Sequence, residues 1–204
     1  MTDDSNLYDL LDEYGLDNED FGFRAAWCEG LTSEETARRL RADLDSAYVS
    51  SLGELMHKEG DSDFDEGALL IGPAGFWTMI LQLNGLDCTR YSALEALSAG
   101  AGRAVGIGWS ANGDERLIYA ADGRVLVSMD FTFPEDRSGP DRQALDPYME
   151  GLVLAYEEGA EVEESIDAAL TLIGRITGHP IDRGWIEADH TFYVIPRNAW
   201  AFQS

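Results

Sequence analysis

Lysine is almost absent from this chain: Lys58 stands alone beside thirteen arginines. A GC-rich genome produces that bias as readily as a physical need, and no function follows from it. Cysteine is scarce too. Cys28 and Cys88 lie 60 residues apart with no Cys-x-x-Cys or Cys/His spacing around them, which suits two core thiols in a reducing cytoplasm, with a disulfide or a reactive cysteine as the alternatives. The three histidines, His57, His179 and His190, form no His-x-x-x-His pair. No apolar run approaches the roughly 20 residues of a membrane span. The opening Met1-Thr2-Asp3-Asp4 is acidic where a secretory signal is basic and then apolar. No Gly-x-Ser-x-Gly elbow and no internal repeat is present. A cytoplasmic protein, with no membrane and no cofactor, is the expectation.

What the chain has in excess is negative charge, net −25. Residues 1–66 carry 19 acidic and 5 basic side chains, residues 67–142 carry 9 and 6, and residues 143–204 carry 11 and 3. Acidic ends on a nearly neutral middle repel phosphate backbones and disfavour nucleic-acid binding. They attract a basic protein, or serve only solubility.

Along the chain, Leu7, Leu10, Leu11 and Tyr14 give one apolar helical face within residues 1–20, a docking helix. Phe21 to Cys28 reads as a strand. Thr32-Ser33-Glu34-Glu35 is a capping box, and the helix behind it is expected to bury Ala37, Leu40 and Leu44. Residues 45–58 fit helix or irregular structure equally. Beyond an acidic loop, Ala68 to Ile71 is a strand, Gly72 to Gly75 a turn and Phe76 to Leu83 a strand. Ser92-Ala93-Leu94-Glu95 matches a second capping box, opening a short helix that stops at Gly100.

Val105, Ile107 and Trp109 then alternate with Ala104, Gly106 and Gly108. Asn112-Gly113 and Asp122-Gly123 are hairpin turns flanking the strand Arg116 to Ala120. Val125, Val127, Met129, Phe131 and Phe133 are expected on one face, completing a three-stranded antiparallel meander. Pro134 to Pro147 reads as a loop and residues 148–158 as a short helix. Residues 161–177 carry the strongest helical pattern, closed by Gly178 and Pro180. A strand, Thr191 to Ile195, and an aromatic tail with Trp200 and Phe202 finish the chain.

Few side chains suggest chemistry. Asp61, Asp63 and Asp65 alternate like the start of an EF-hand loop, but Glu66 and Gly72 stand where that loop needs glycine and glutamate. No metal site is therefore expected, and these carboxylates with Glu66 form a candidate acidic patch for a partner. Gly100-Ala101-Gly102 with Gly106 and Gly108 follows a helix and precedes a strand, the reverse of a dinucleotide-binding turn. Those glycines are expected to end a helix and admit another element to the sheet. Glu187, Asp189 and His190 are close in sequence, yet in a strand Asp189 and His190 face opposite ways. No catalytic residue is assigned.

The segments Trp27-Cys28-Glu29-Gly30-Leu31-Thr32-Ser33-Glu34-Glu35, Gly72-Pro73-Ala74-Gly75-Phe76-Trp77, Leu94 to Gly100 and Tyr119 to Val125 together resemble an uncharacterised family of small acidic bacterial proteins, known only as a domain of unknown function. The likeness covers about residues 22–178. It implies a fold unit and transfers no functional residue.

The expectation is one α+β domain over residues 1–204. Residues 1–20 form the docking helix, 22–178 the core and 179–204 the last strand and tail. Its sheet is mostly antiparallel, of five to seven strands, with helices on one face. The leading functional reading is a non-enzymatic acidic interaction module, of immunity or antitoxin type, that binds a basic partner through Asp61, Asp63, Asp65 and Glu66. The second is an enzyme or small-molecule-binding domain with a cleft beside the glycine-bearing strand.

Overall fold

The computed structural model describes residues 6–16, 22–59, 64, 66–110, 115–154 and 162–200. Among them the order is α1 (Leu7–Glu13), β1 (Phe23–Glu29), α2 (Ser33–Arg39), β2 (Asp43–Ser51), α3 (Leu52–Glu59), β3 (Ala68–Ala74), β4 (Trp77–Gln82), a 3-10 turn (Asp87–Thr89), α4 (Tyr91–Ser98), β5 (Arg103–Trp109), β6 (Arg116–Ala121), β7 (Arg124–Asp130), β8 (Arg137–Ser138), α5 (Asp146–Met149), α6 (Val162–Thr177), α7 (Arg183–Glu187) and β9 (Asp189–Val194). No helix among the described residues is long and apolar enough to cross a membrane.

The α+β expectation holds in outline, and the strand number is corrected. The strands form one antiparallel sheet of nine, ordered β2-β9-β3-β4-β1-β5-β6-β7-β8. Short strands inside loops were the hard ones to see: β2 lies in a segment of undecided pattern, and β8 is two residues long within the expected Pro134 to Pro147 loop.

Helices cover both faces, not one. The central strands are apolar at consecutive positions, as strands buried on two sides must be. In β1, Ala25 and Trp27 enter one core with residues of α1, α3, α6 and α7, while Ala26 and Cys28 enter a second with residues of α2 and α4. The larger core holds Trp77, Trp109 and Trp185 beside the buried face of α6.

Local chemistry explains where elements start and stop. Thr32 Oγ1 accepts a hydrogen bond from the Glu35 amide at 3.2 Å, the expected cap. That helix ends at Leu40, and Arg41 takes φ +61°. Leu44 therefore falls on the edge strand β2, 37% exposed, and not on a helical face. The second capping box does not form: α4 begins one residue before Ser92, and Arg90 at its N-cap provides no side-chain cap. The strand containing Gly72 continues to Ala74, so the β3–β4 turn is Gly75-Phe76, with Phe76 at its tip, 75% exposed.

At Asp122-Gly123 both residues have positive φ, +48° and +74°, as a tight primed turn requires. The Asn112-Gly113 turn lies outside the described residues. The strand behind Asp122-Gly123 differs from expectation. Tyr119 faces Val127 while Ala120 faces Val125, so Leu126 is an extra residue, a bulge. It sends Val125 to one core and Val127, Met129 and Phe131 to the other, and Phe133 lies exposed beyond the strand end. The helix expected over 148–158 is shorter and earlier, ending at Met149. α6 matches its pattern from Val162 to Thr177.

Candidate functional site

Where β1, β5 and β6 run side by side, their register places Arg24 opposite Gly108 and Gly108 opposite Arg116. Residues directly opposite in a sheet point to the same face. Here that face is the one carrying α2 and α4, since Ala26, two residues from Arg24, packs in that core. The middle position has no side chain, and Arg24 lies across it: a methyl at 108 would overlap Arg24 Cδ and stand 2.8 Å from its Nε.

Arg24 is 8% exposed, in a strand otherwise almost wholly apolar. Its Nη1 donates to the Phe23 carbonyl at 2.7 Å and to the Trp109 carbonyl, which fixes the guanidinium. Its charge also reaches the buried Cys88, whose thiol burial pushes up and Arg24 draws back. Cys28 is pushed up to about 12 by burial, against the hydrogen bond from Thr36. Neither cysteine is a nucleophile at neutral pH.

Arg116 is exposed, and its Nη1 contacts Ser128 Oγ at 3.4 Å. Its neighbour across the ladder, Asp130, is engaged elsewhere: Oδ1 accepts from the Thr132 amide at 2.9 Å, the Thr132 hydroxyl at 2.7 Å and the Phe133 amide at 3.2 Å. Arg90 enters from the segment before α4, with Nε 2.9 Å from Asp87 Oδ1. Together Arg24, Arg90, Arg116, Thr89, Gly108, Leu86 and Ile118 line a cleft of about 240 Å³. The lining holds three guanidiniums, one hydroxyl and two aliphatic side chains, with no carboxylate among its described residues.

α4 follows directly on Arg90 and is held at two points. Gly106 admits it, with the Leu94 methyl groups 3.1 and 3.3 Å from where a Cβ would stand. At its C-terminus Arg39 Nη1 donates to the carbonyls of Ala96, Leu97 and Ala99 at 3.1, 3.3 and 2.9 Å, a cation on the negative helix end. The glycines at 100–102 do end a helix, as expected, and the Gly123 amide reaches back to the Ser98 carbonyl at 3.2 Å.

The residues singled out from sequence lie elsewhere. Asp61, Asp63 and Asp65 fall outside the described residues. Glu66 is exposed in the turn before β3 and is 2.8 Å from Arg197 Nε. Asp189 is exposed and His190 buried, on opposite faces. His190 Nε2 meets the Trp185 carbonyl at 2.7 Å and its ring stacks on Trp185 at 4.1 Å. A carbonyl only accepts, so Nε2 carries the proton, and Nδ1 is buried with no partner among the described residues. Burial holds this imidazole below its ordinary range, partly offset by the Trp185 bond and the Asp189 charge. Glu187 accepts from the Tyr14 hydroxyl at 2.5 Å, within a surface network joining α1 to α7 through Arg183 and Glu13. No group of three His, Cys, Asp or Glu suited to a metal forms among the described residues.

Arg24, Arg90 and Arg116 were missed because they are 26 to 92 residues apart. One signal was available: a lone arginine inside Phe-Arg-Ala-Ala-Trp-Cys, opposite a strand with glycine at alternate positions.

Fold and cleft define an antiparallel α+β protein with helices on both sheet faces and a cationic cleft at the junction of three strands. The chain belongs to the family of unknown function DUF6461, whose model matches residues 11–198. That match extends beyond the 22–178 region of resemblance at both ends and takes in β9. No curated protein and no solved structure matches the chain.

Proposed function

We propose that this protein is a binding domain for a small anionic ligand, held in the arginine-lined cleft beside β5. The observation that carries the reading is the convergence of Arg24, Arg90 and Arg116 on one cleft in a chain of net charge −25. Guanidiniums are the side chains best shaped to hold carboxylates and phosphates through paired hydrogen bonds. Two buried free thiols support a reducing cytoplasm as its compartment.

A thermal-shift screen against small carboxylates, phosphates and sulfates, in low salt and at physiological salt, tests it. A ligand at one hundred times its Kd stabilises by about 2.7 kcal/mol, which raises Tm by about 5–10 °C at this chain length. The shift should vanish in the Arg90→Gln/Arg116→Gln double variant. A screen without any anion-dependent shift defeats the reading.

The interaction-module reading is supported by charge, acidic ends attracting a basic protein. Of its four carboxylates the one described, Glu66, already faces Arg197 of the same chain. The cleft is a built feature, and it ranks first.

A further inference from the structure

His190 stands second in β9, 5% exposed, with α7 lying against its ring. The ring stacks on Trp185 of α7 at 4.1 Å, and Nε2 donates to the Trp185 carbonyl at 2.7 Å. At the other nitrogen, a Cβ at position 72 would stand 1.8 Å from Nδ1, so the imidazole rests on bare backbone that only glycine offers. Nδ1 is buried there without a partner among the described residues. We propose that His190 is a proton-operated latch: while the imidazole is neutral it holds α7 on the sheet, and when it takes up a proton α7 lifts and carries the end of α1 with it.

The second proton must go on Nδ1, which turns an acceptor into a charged donor with nothing to receive it. Among the described residues, the elements packed round the ring bring no acceptor to that atom. β3 brings Gly72, which has no side chain. β2 brings Ser50, directly opposite His190, and its hydroxyl donates to Glu54 Oε2 of α3 at 3.1 Å. On α7, Asp182 caps the helix at the Trp185 amide, while Arg183 and Glu187 are tied to Glu13 and Tyr14 at the surface. Asp189 is exposed on the opposite face of β9. A cation on the indole and a charged bond to the Trp185 carbonyl both favour the closed state. Burial is the larger effect, and it works against the charge.

Water reaches the imidazole at least cost by way of α7. β9 is paired on both edges, to β2 and to β3. α7 has only five residues, too few to be stable away from the sheet. Its outer face is bound to α1: Arg183 Nη2 is 2.5 Å from Glu13 Oε2, and the Tyr14 hydroxyl donates to Glu187 Oε1 at 2.5 Å. Lifting α7 therefore pulls on the last turn of α1, whose Leu10 and Leu11 share a core with Trp185.

Native-state hydrogen exchange at pH 7.5 and 5.5, corrected for the intrinsic pH dependence of amides, tests the latch. The amides to follow are Ile186 and Ala188, bonded within α7, and Tyr14 and Gly15 at the end of α1. Their protection should fall several-fold at pH 5.5, up to about tenfold, the factor by which an imidazole in water favours its protonated form there. The fall should depend little on dilute urea, as local opening does and global unfolding does not. His190→Gln, shown to be folded by its thermal melt, should lose the pH step. Arg183→Gln, a surface change, should keep the step in α7 and lose it in α1. Equal protection of α7 at the two pH values overturns the proposal. So does a step that survives in His190→Gln, one as urea-sensitive as the exchange of β4, or opening of β2 while α7 stays closed. A step in α7 without one in α1 overturns the release of α1.

Discussion

Gly108 is the residue on which the cleft's geometry turns. Arg24 occupies the volume where any side chain at 108 would begin. Gly108→Ala forces the buried guanidinium off the Phe23 and Trp109 carbonyls or bends the strand. Overpacking of this kind costs about 1–3 kcal/mol, and the same change should weaken anion binding because Arg24 moves. Urea unfolding with ligand titration checks both. A stable variant with unaltered affinity would show that Arg24 does not frame the site. His190 gives a second residue-level expectation. Its folded-state pKa is depressed by burial, so the unfolded chain takes up the proton first. Stability is therefore whole above about pH 6.5, the ordinary histidine value, and declines as pH falls through it. Glu29, held below the usual carboxylate range by Arg103, loses its contribution only below about pH 4.5. Urea midpoints at pH 7.5 and pH 5.5 should thus differ in the wild type, and much less in His190→Gln. Equal pH dependence in the two proteins would clear His190 of the effect.

At the scale of the element, α4 and β2 show two opposite solutions to an exposed end. α4 has a clamped C-terminus, where one guanidinium serves three carbonyls. Removing it with Arg39→Leu leaves those acceptors to water and removes the hydrogen bonds that tie α2 to α4, while their shared apolar packing remains. A loss on the order of 1–3 kcal/mol is expected, the range for hydrogen bonds to a charged group. Because Arg90 is the N-cap residue of α4, the ligand-induced rise in Tm should also shrink. A Tm loss without any change in that rise would separate helix stability from the cleft. β2 instead manages an open sheet edge. Asp43 and Asp45 lie along it, and its register with β9 shifts between Asp43 and Tyr48. Charge and a bulge on an edge strand both discourage further pairing.

For the whole molecule, the unequal charge distribution allows a test independent of the cleft. If the acidic ends recruit a basic protein, neutralising Asp61, Asp63, Asp65 and Glu66 together should slow association far more than it speeds dissociation. The on-rate of the unmodified chain should fall steeply with salt, since at ~0.15 M the Debye length is about 8 Å. Stopped-flow association against salt, with the partner recovered by pull-down, measures it. An acidic partner, or an on-rate indifferent to salt, rules the electrostatic reading out. Neutralisation of that loop should leave small-anion binding intact, because Glu66 faces Arg197 and not the cleft.

Local pattern carried a good part of this structure. The periodic leucines of α1, the Thr32 cap, the long amphipathic α6 and the Asp122-Gly123 turn are each specified within a few residues, because helix period, cap and turn chemistry act over that range. Layering was half legible: Ala25 to Cys28 are apolar at every position, a pattern that only burial on both faces explains, yet four residues cannot say which helices do the covering. Register was not legible at all. The bulge at Leu126 reverses the facing of Val125 relative to Val127, and nothing in the alternation of that strand marks the extra residue. The cleft depended on tertiary structure most. Arg24, Arg90 and Arg116 meet because β1 pairs with β5, β5 with β6, and α4 packs over Gly106. Pairing between distant strands is fixed by the summed burial of two cores, a property of the whole chain that no short stretch of sequence contains.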